Sequence, residues 1–167
     1  MLLVLDSTPL IHFSRTGFLQ TAFRLNHEFV TTPQVVDEVL PKGVLHPGAQ
    51  LLKESFENGK IGVKPFSGKT PEHHGISAAD ASVIHLAQEL RAIAVADDRE
   101  VRLIAQMRQV KTVNSTALLI EAVRRKLVSQ REGITWLDRL IASGWYCDAQ
   151  TYALIAKAKP CRSENWF

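Results

Sequence analysis

Cysteine is nearly absent: Cys147 and Cys161 are the only two in 167 residues. Their spacing fits neither a zinc-binding nor a thioredoxin-like pattern, and a single pair makes no disulfide framework, so the fold must rest on a hydrophobic core. Long apolar runs are lacking as well, and none approaches the roughly 20 residues that a membrane-spanning helix needs. The opening MLLVLDS has no basic leader and is broken by Asp6. It reads as a buried strand rather than a signal peptide, which makes the cytoplasm the expected location. The glycines Gly43, Gly48, Gly59, Gly62 and Gly68 make no phosphate-cradling loop, and neither a dinucleotide fingerprint nor a P-loop occurs. One adjacent histidine pair, His73-His74, has no third ligand nearby in sequence, so nothing indicates zinc.

What is present suits an ordinary globular chain. Hydrophobic residues are 46% and charged residues 22%, and the length allows one well-buried core. The formal net charge of +3 conceals an asymmetry. Residues 1–105 hold 10 Lys/Arg against 12 Asp/Glu, and residues 106–167 hold 10 against 5. An acidic part joined to a basic tail fits a partner such as nucleic acid, which needs both a cation site and phosphate contacts.

The segment from Gly75 to Ala105, GISAADASVIHLAQELRAIAVADDREVRLIA, organises the rest. It reads as helix (77–89), buried strand (92–96) and helix (97–107), with acids at the start of each helix. Ser77 and Asp80 have capping-box spacing, and Ala79, Val83, Leu86 and Leu90 recur at helical spacing. Around it, Leu2–Leu5 is a fully apolar run of the kind found in central parallel strands. A rough helix follows over 10–18, and a strand is expected at 28–31. Thr32-Pro33 is a strong helix start, with a hydroxyl cap before a proline that needs no amide hydrogen. A helix within 48–56, a short edge strand near 61–65, a turn-rich loop at 67–75, a strand at 110–113 and a helix at 116–127 complete an alternation. That alternation predicts a three-layer α/β domain with a parallel sheet over 1–127. Beyond it, 133–143 and 147–158 read as a helical hairpin, a C-terminal extension over 128–167 packed on the domain or on a dimer partner.

The acids carry the functional signal. Asp6 ends an apolar strand, where open α/β sheets bind ligands, although an Asp there equally serves as a turn-former. Glu38 lies within a short apolar helix and is either a surface residue or aimed along the edge of its inner face. Asp80 serves a cap and, compatibly, a site. Asp97, three residues before Glu100, is expected to cap the helix that follows, leaving Asp98 free to face the crevice. Two adjacent acids repel unless something cationic lies among them. Oxygen-only ligands favour Mg2+ or Mn2+ over zinc, and such a site suits hydrolysis of phosphodiesters. Arg99, Arg102 and Lys69 are candidate phosphate contacts. The run Arg124-Arg125-Lys126 is either an RNA contact or a solvated helix end. His12 and His85 read as packed residues.

Four segments together resemble the PIN-domain family: LDSTPLIHFSRTG at 5–17, TTPQVVDEVL at 31–40, GISAADASVIHLAQEL at 75–90 and AIAVADDREVRLIA at 92–105. That resemblance, over about residues 1–127, implies a Mg2+/Mn2+-dependent ribonuclease with sheet order 3-2-1-4-5, such as the toxin of a toxin–antitoxin pair. It implies hydrolysis of RNA by a cation-activated water, a homodimer and an antitoxin partner. By position it makes Asp6, Glu38, Asp80 and Asp98 the catalytic and metal-binding set, with Asp97 as neighbour or substitute and Ser7 supporting Asp6. Ala96 stands where the family often has Thr or Ser, which removes an orienting hydroxyl. A degenerate module that binds RNA or protein without cutting it is the alternative. The tail is similar to C-terminal extensions in one branch of the family.

Overall fold

The apolar run at the amino terminus forms β1 (Leu2–Leu5), hydrogen-bonded on one side to β2 (Glu28–Thr31) and on the other to β4 (Ile93–Val95). The short outer strands β3 (Ile61–Val63) and β5 (Thr112–Val113) complete a parallel sheet in the order β3-β2-β1-β4-β5. Leu3, Val4 and Leu5 are fully buried, as a strand covered on both faces must be. The computed structural model describes residues 1–40, 47–67, 75–145 and 149–157.

Helices α1 (Ser7–Thr16), α2 (Leu19–Phe23), α3 (Pro33–Val39), α4 (Ala49–Glu57), α5 (Ala78–Glu89), α6 (Arg99–Met107), α7 (Ser115–Arg124), α8 (Gln130–Ala142) and α9 (Ala149–Ala156) make up the rest of the described chain. Helix α1 begins three residues earlier than its apolar spacing suggests, because the Asp6 side chain caps it by accepting the Ser7 amide. It stops at Gly17, whose φ of 79° closes the turn. Helix α2 has no expectation behind it in the sequence; five residues leave no room for a helical period, and its buried Leu19 and Ala22 are positioned by the surrounding core. Thr32 caps α3 and Ser77–Asp80 caps α5 by the reciprocal box, as their spacing predicts. Helix α8 starts earlier than expected, on a second box between Ser129 and Glu132.

The extension packs within its own chain. Helix α8 lies against α7 and α1, and α9 against α7 and α8. Trp136 meets Phe18 edge-to-face at 5.1 Å, and Phe18 meets Phe13 in the same way at 5.0 Å. Gly133 lets α8 approach α7 closely, since a Cβ there would stand 2.6 Å from Val123 Cγ2.

Beneath α7 lies a buried polar tie. His27 Nε2 donates to the Glu121 carboxylate at 2.9 and 3.0 Å, and Arg125 binds the same carboxylate at 2.7 Å. Arg125 also donates to the Leu25 carbonyl at 2.9 Å, so the middle residue of the basic run at 124–126 turns to the connection between α2 and β2. Removing the shared carboxylate takes a buried acceptor from His27 and one of two acceptors from Arg125. Glu121→Ala is expected to lower stability by roughly 3 kcal/mol in urea denaturation; a loss well under 1 kcal/mol would show that the tie contributes little.

Candidate active site

Asp6 follows the last residue of the central strand. Its amide donates to the Val95 carbonyl at 3.1 Å, continuing the β1–β4 ladder, and its side chain is 1% exposed. Ser7 sits between two acids: its amide donates to Asp6 Oδ1 at 2.8 Å and its hydroxyl to Glu38 Oε2 at 2.9 Å. Asp80 and Glu38 are the two acids whose charge bears on the Asp6 carboxyl. Asp6, Glu38 and Asp80, from the β1–α1 junction, α3 and α5, therefore converge at the carboxyl edge of the sheet.

Hydroxyl groups hold those elements together, and their sequence spacing gave no warning of it. Thr31 Oγ1 donates to the Leu5 carbonyl at 2.7 Å, fixing β2 against the end of β1. Thr32 Oγ1, while capping α3, bonds Ser82 Oγ at 2.6 Å, and Ser82 donates onward to the Ala79 carbonyl at 2.6 Å. This buried relay ties the start of the Glu38 helix to the first turn of the Asp80 helix. Each hydroxyl in it is satisfied, as a buried one must be.

The acids after β4 are arranged otherwise than their spacing predicts. Asp98, not Asp97, caps α6: its Oδ1 accepts the amides of Glu100 at 2.6 Å and Val101 at 3.3 Å. Asp97 still follows the sheet edge, beside the end of β5, and its carboxylate accepts the Ser115 amide at 2.8 Å and the Ser115 hydroxyl at 2.6 Å. Ser115 is the first residue of α7, so this acid meets a helix N-terminus with an unsatisfied amide. His12 Nδ1 stands 3.5 Å from Asp97 Oδ2, a charge contact without hydrogen-bond geometry. The adjacent pair thus needs no cation between its members, because each acid is compensated by a different helix.

Arg99 is exposed at the first position of α6. Arg102 Nη1 turns back to the carbonyls of Ala96 and Asp97, so that nitrogen serves the turn. Lys69 lies outside the described residues, as do His73, His74 and both cysteines.

Burial, the charge of Asp80 and the charge of Glu38 together push the Asp6 carboxyl from its ordinary 3.8 up to about 8, against a smaller lowering by the Ser7 amide. All donors in the cluster are oxygens, and the excess of negative charge is what a hard divalent cation relieves, so the residue types fit Mg2+ or Mn2+. Among the described residues, no three His, Cys, Asp or Glu side chains are gathered tightly enough to enclose an ion.

A parallel sheet of this order with acids converging at its carboxyl edge defines a PIN-like α/β fold. The model of the PIN-domain family DUF3368 matches residues 2–159, and the chain belongs to that family. The match runs through α8 and α9, so the helical extension lies within the family pattern. Among solved structures, the chain is similar to a PilT N-terminus domain protein from the hyperthermophilic archaeon Sulfolobus solfataricus. The TM-score is 0.52 at 21% identity, over 74% of this chain and 94% of that one. That likeness concerns the fold. No curated protein matches the chain. PIN domains are generally nucleases and typically bind divalent metals, and among the described residues no helix is long and apolar enough to cross a membrane.

The raised Asp6 carboxyl carries a linkage consequence. Folding favours its protonated form, so the stability that proton contributes is complete below about pH 4 and is lost as pH rises through about 8. In EDTA, the unfolding free energy of the wild type is expected to fall across that window. Asp6→Asn, which can accept from Ser7 and has no carboxyl to titrate, should flatten the profile and be more stable than wild type at pH 8 by on the order of a few kcal/mol. Urea denaturation at pH 5 and pH 8 checks this, and a wild-type stability equal at both would contradict it.

Proposed function

We propose that this PIN-family protein is a divalent-cation-dependent endoribonuclease that hydrolyses RNA phosphodiester bonds and acts as the toxin half of a toxin–antitoxin pair. The observation that carries the nuclease reading is the buried Asp6 carboxyl at the sheet edge, with the half-buried Asp80 and the exposed Glu38 near enough for their charge to raise it. The toxin role, a cognate antitoxin, a homodimer and a cytoplasmic setting rest on the family resemblance.

In this reading Asp6 and Asp98 hold Mg2+ or Mn2+, with Glu38 and Asp80 completing the site directly or through water. When bound, the cation supplies an activated water and neutralises charge developing on the phosphate. The protein's own groups prepare that state. Ser7 holds Asp6 by its amide and Glu38 by its hydroxyl, which keeps both carboxylates aimed at one place. Asp98 spends Oδ1 on the α6 amides and keeps Oδ2 without a partner among the described residues. The proton favoured on the raised Asp6 carboxyl would leave on loading, so cation affinity would rise with pH. Arg99, exposed beside Asp98, is available to a backbone phosphate.

EDTA-treated protein restored with Mg2+ is expected to cleave single-stranded RNA. Asp6→Asn or Asp98→Asn should each reduce the rate by roughly a hundredfold or more without unfolding the chain. Full cleavage by both variants would remove the assignment. RNA binding that survives EDTA without any product would instead mark a binding module.

A further inference from the structure

The turn from β4 into α6 is anchored more heavily than a three-residue connection requires. The Ala96 amide donates to the Val113 carbonyl at 3.0 Å, joining the turn to β5. Arg102 closes over it from one turn along α6, onto the carbonyls of Ala96 and Asp97. Asp97, whose side chain is 6% exposed, takes both the amide and the hydroxyl of Ser115, and His12 of α1 stands against the same carboxylate. Ala96 offers the turn no polar side chain, so the hydroxyl that secures it comes across the sheet edge from the β5–α7 junction. Ser115 is fully buried and has no other side-chain hydrogen bond among the described residues.

The segment these groups immobilise ends in Asp98. The β1–β4 register pairs Leu5 with Val95, so the turn emerges beside Asp6. We infer that Asp97 is a positioning residue, clamped by Ser115 and backed by His12, whose role is to hold the free oxygen of Asp98 at the cation site. The inference rests on the proposed hydrolytic centre. Partners that orient a ligand from outside the coordination sphere typically account for ten- to hundredfold in metal affinity.

Mn2+ binding to the full chain by isothermal titration calorimetry gives a readout separate from catalysis, with the melting temperature in EDTA and cleavage against Mg2+ concentration measured alongside. Ser115→Ala removes one oxygen from a buried position and leaves the backbone bond to Asp97. It is expected to weaken Mn2+ binding about tenfold and to raise the Mg2+ needed for half-maximal cleavage by a similar factor, with the KM for RNA unchanged. Asp97→Asn should behave alike, and the double variant should be no weaker than the weaker single, because both changes act through one bond. Ser115→Thr, which keeps the hydroxyl, should recover most of the affinity. Wild-type Mn2+ affinity in both Ser115→Ala and Asp97→Asn would overturn the inference while leaving the site standing, provided Asp98→Asn lowers it. A wild type that binds no Mn2+, or an Asp98→Asn variant that binds normally, would overturn the site reading and this inference with it. If either single variant fails to fold, the other carries the same expectation.

Discussion

A buried carboxyl at the end of the central strand is the constraint to which the surrounding structure answers. Asp6 has left water, and every charge that moves its titration is another acid. Leaving such a group unsatisfied would cost several kcal/mol, so folding favours its protonated form and sets a backbone dipole against it. The Ser7 amide at the α1 N-terminus supplies that dipole, and Asp80 and Glu38 supply the neighbouring charge. Those two acids come from elements far from Asp6 in sequence, so their placement beside it has to be rigid. The hydroxyl contacts Thr31–Leu5 and Thr32–Ser82 provide that rigidity at the sheet edge, where β-ladder hydrogen bonds end. The acids tend to push the edge apart, and the hydroxyl relay and the covered apolar sheet hold it together.

Much of this fold was legible because local signals agreed with the global arrangement. β1 shows as an uninterrupted apolar run, α3 as Thr-Pro, and α5 as a capping box followed by helical spacing. Asp6, Asp80 and Asp98 stand at element boundaries whose chemistry is local, whereas Glu38 lies within α3 and was singled out by the family resemblance. What the sequence concealed is pairing across distance. Thr32 and Ser82 are 50 positions apart and Asp97 and Ser115 are 18 apart, and no periodicity links a hydroxyl to such a partner. The exchange of roles between Asp97 and Asp98 follows from this. Asp97 and Glu100 have the spacing of a capping box, but the Ser115 amide and hydroxyl compete for Asp97. The helix therefore starts one residue later, on Asp98.

The basic character of the carboxyl-terminal third also changes meaning in three dimensions. Arg125 is taken up by Glu121 and the Leu25 carbonyl, and Arg139 reaches the Thr16 carbonyl at 3.4 Å. Part of the charge that sequence alone assigns to a nucleic-acid surface therefore ties α7 and α8 to the domain. The extension is attached mainly by shape: Trp136 on Phe18, Gly133 against Val123, and a fully buried Ile155 on α9. These contacts lie on the α1–α2 junction and α7, so the described part of the extension braces the helical layer.

The treatment of the two neighbouring acids bears on how such sites should be read. Adjacent carboxylates after a buried strand invite the inference that a cation must separate them. Here two helix N-termini perform that separation, one for each acid, before any ion is considered. The adjacency is therefore no evidence for a metal. The evidence lies at Asp6, where burial and two further acids leave a proton or a cation as the available neutralising partners. With Asp97 committed to α7, Asp98 can spend one oxygen on its helix and keep the other outward. A pair that looked redundant in the sequence thus divides into one acid bound to the start of α7 and one that caps α6.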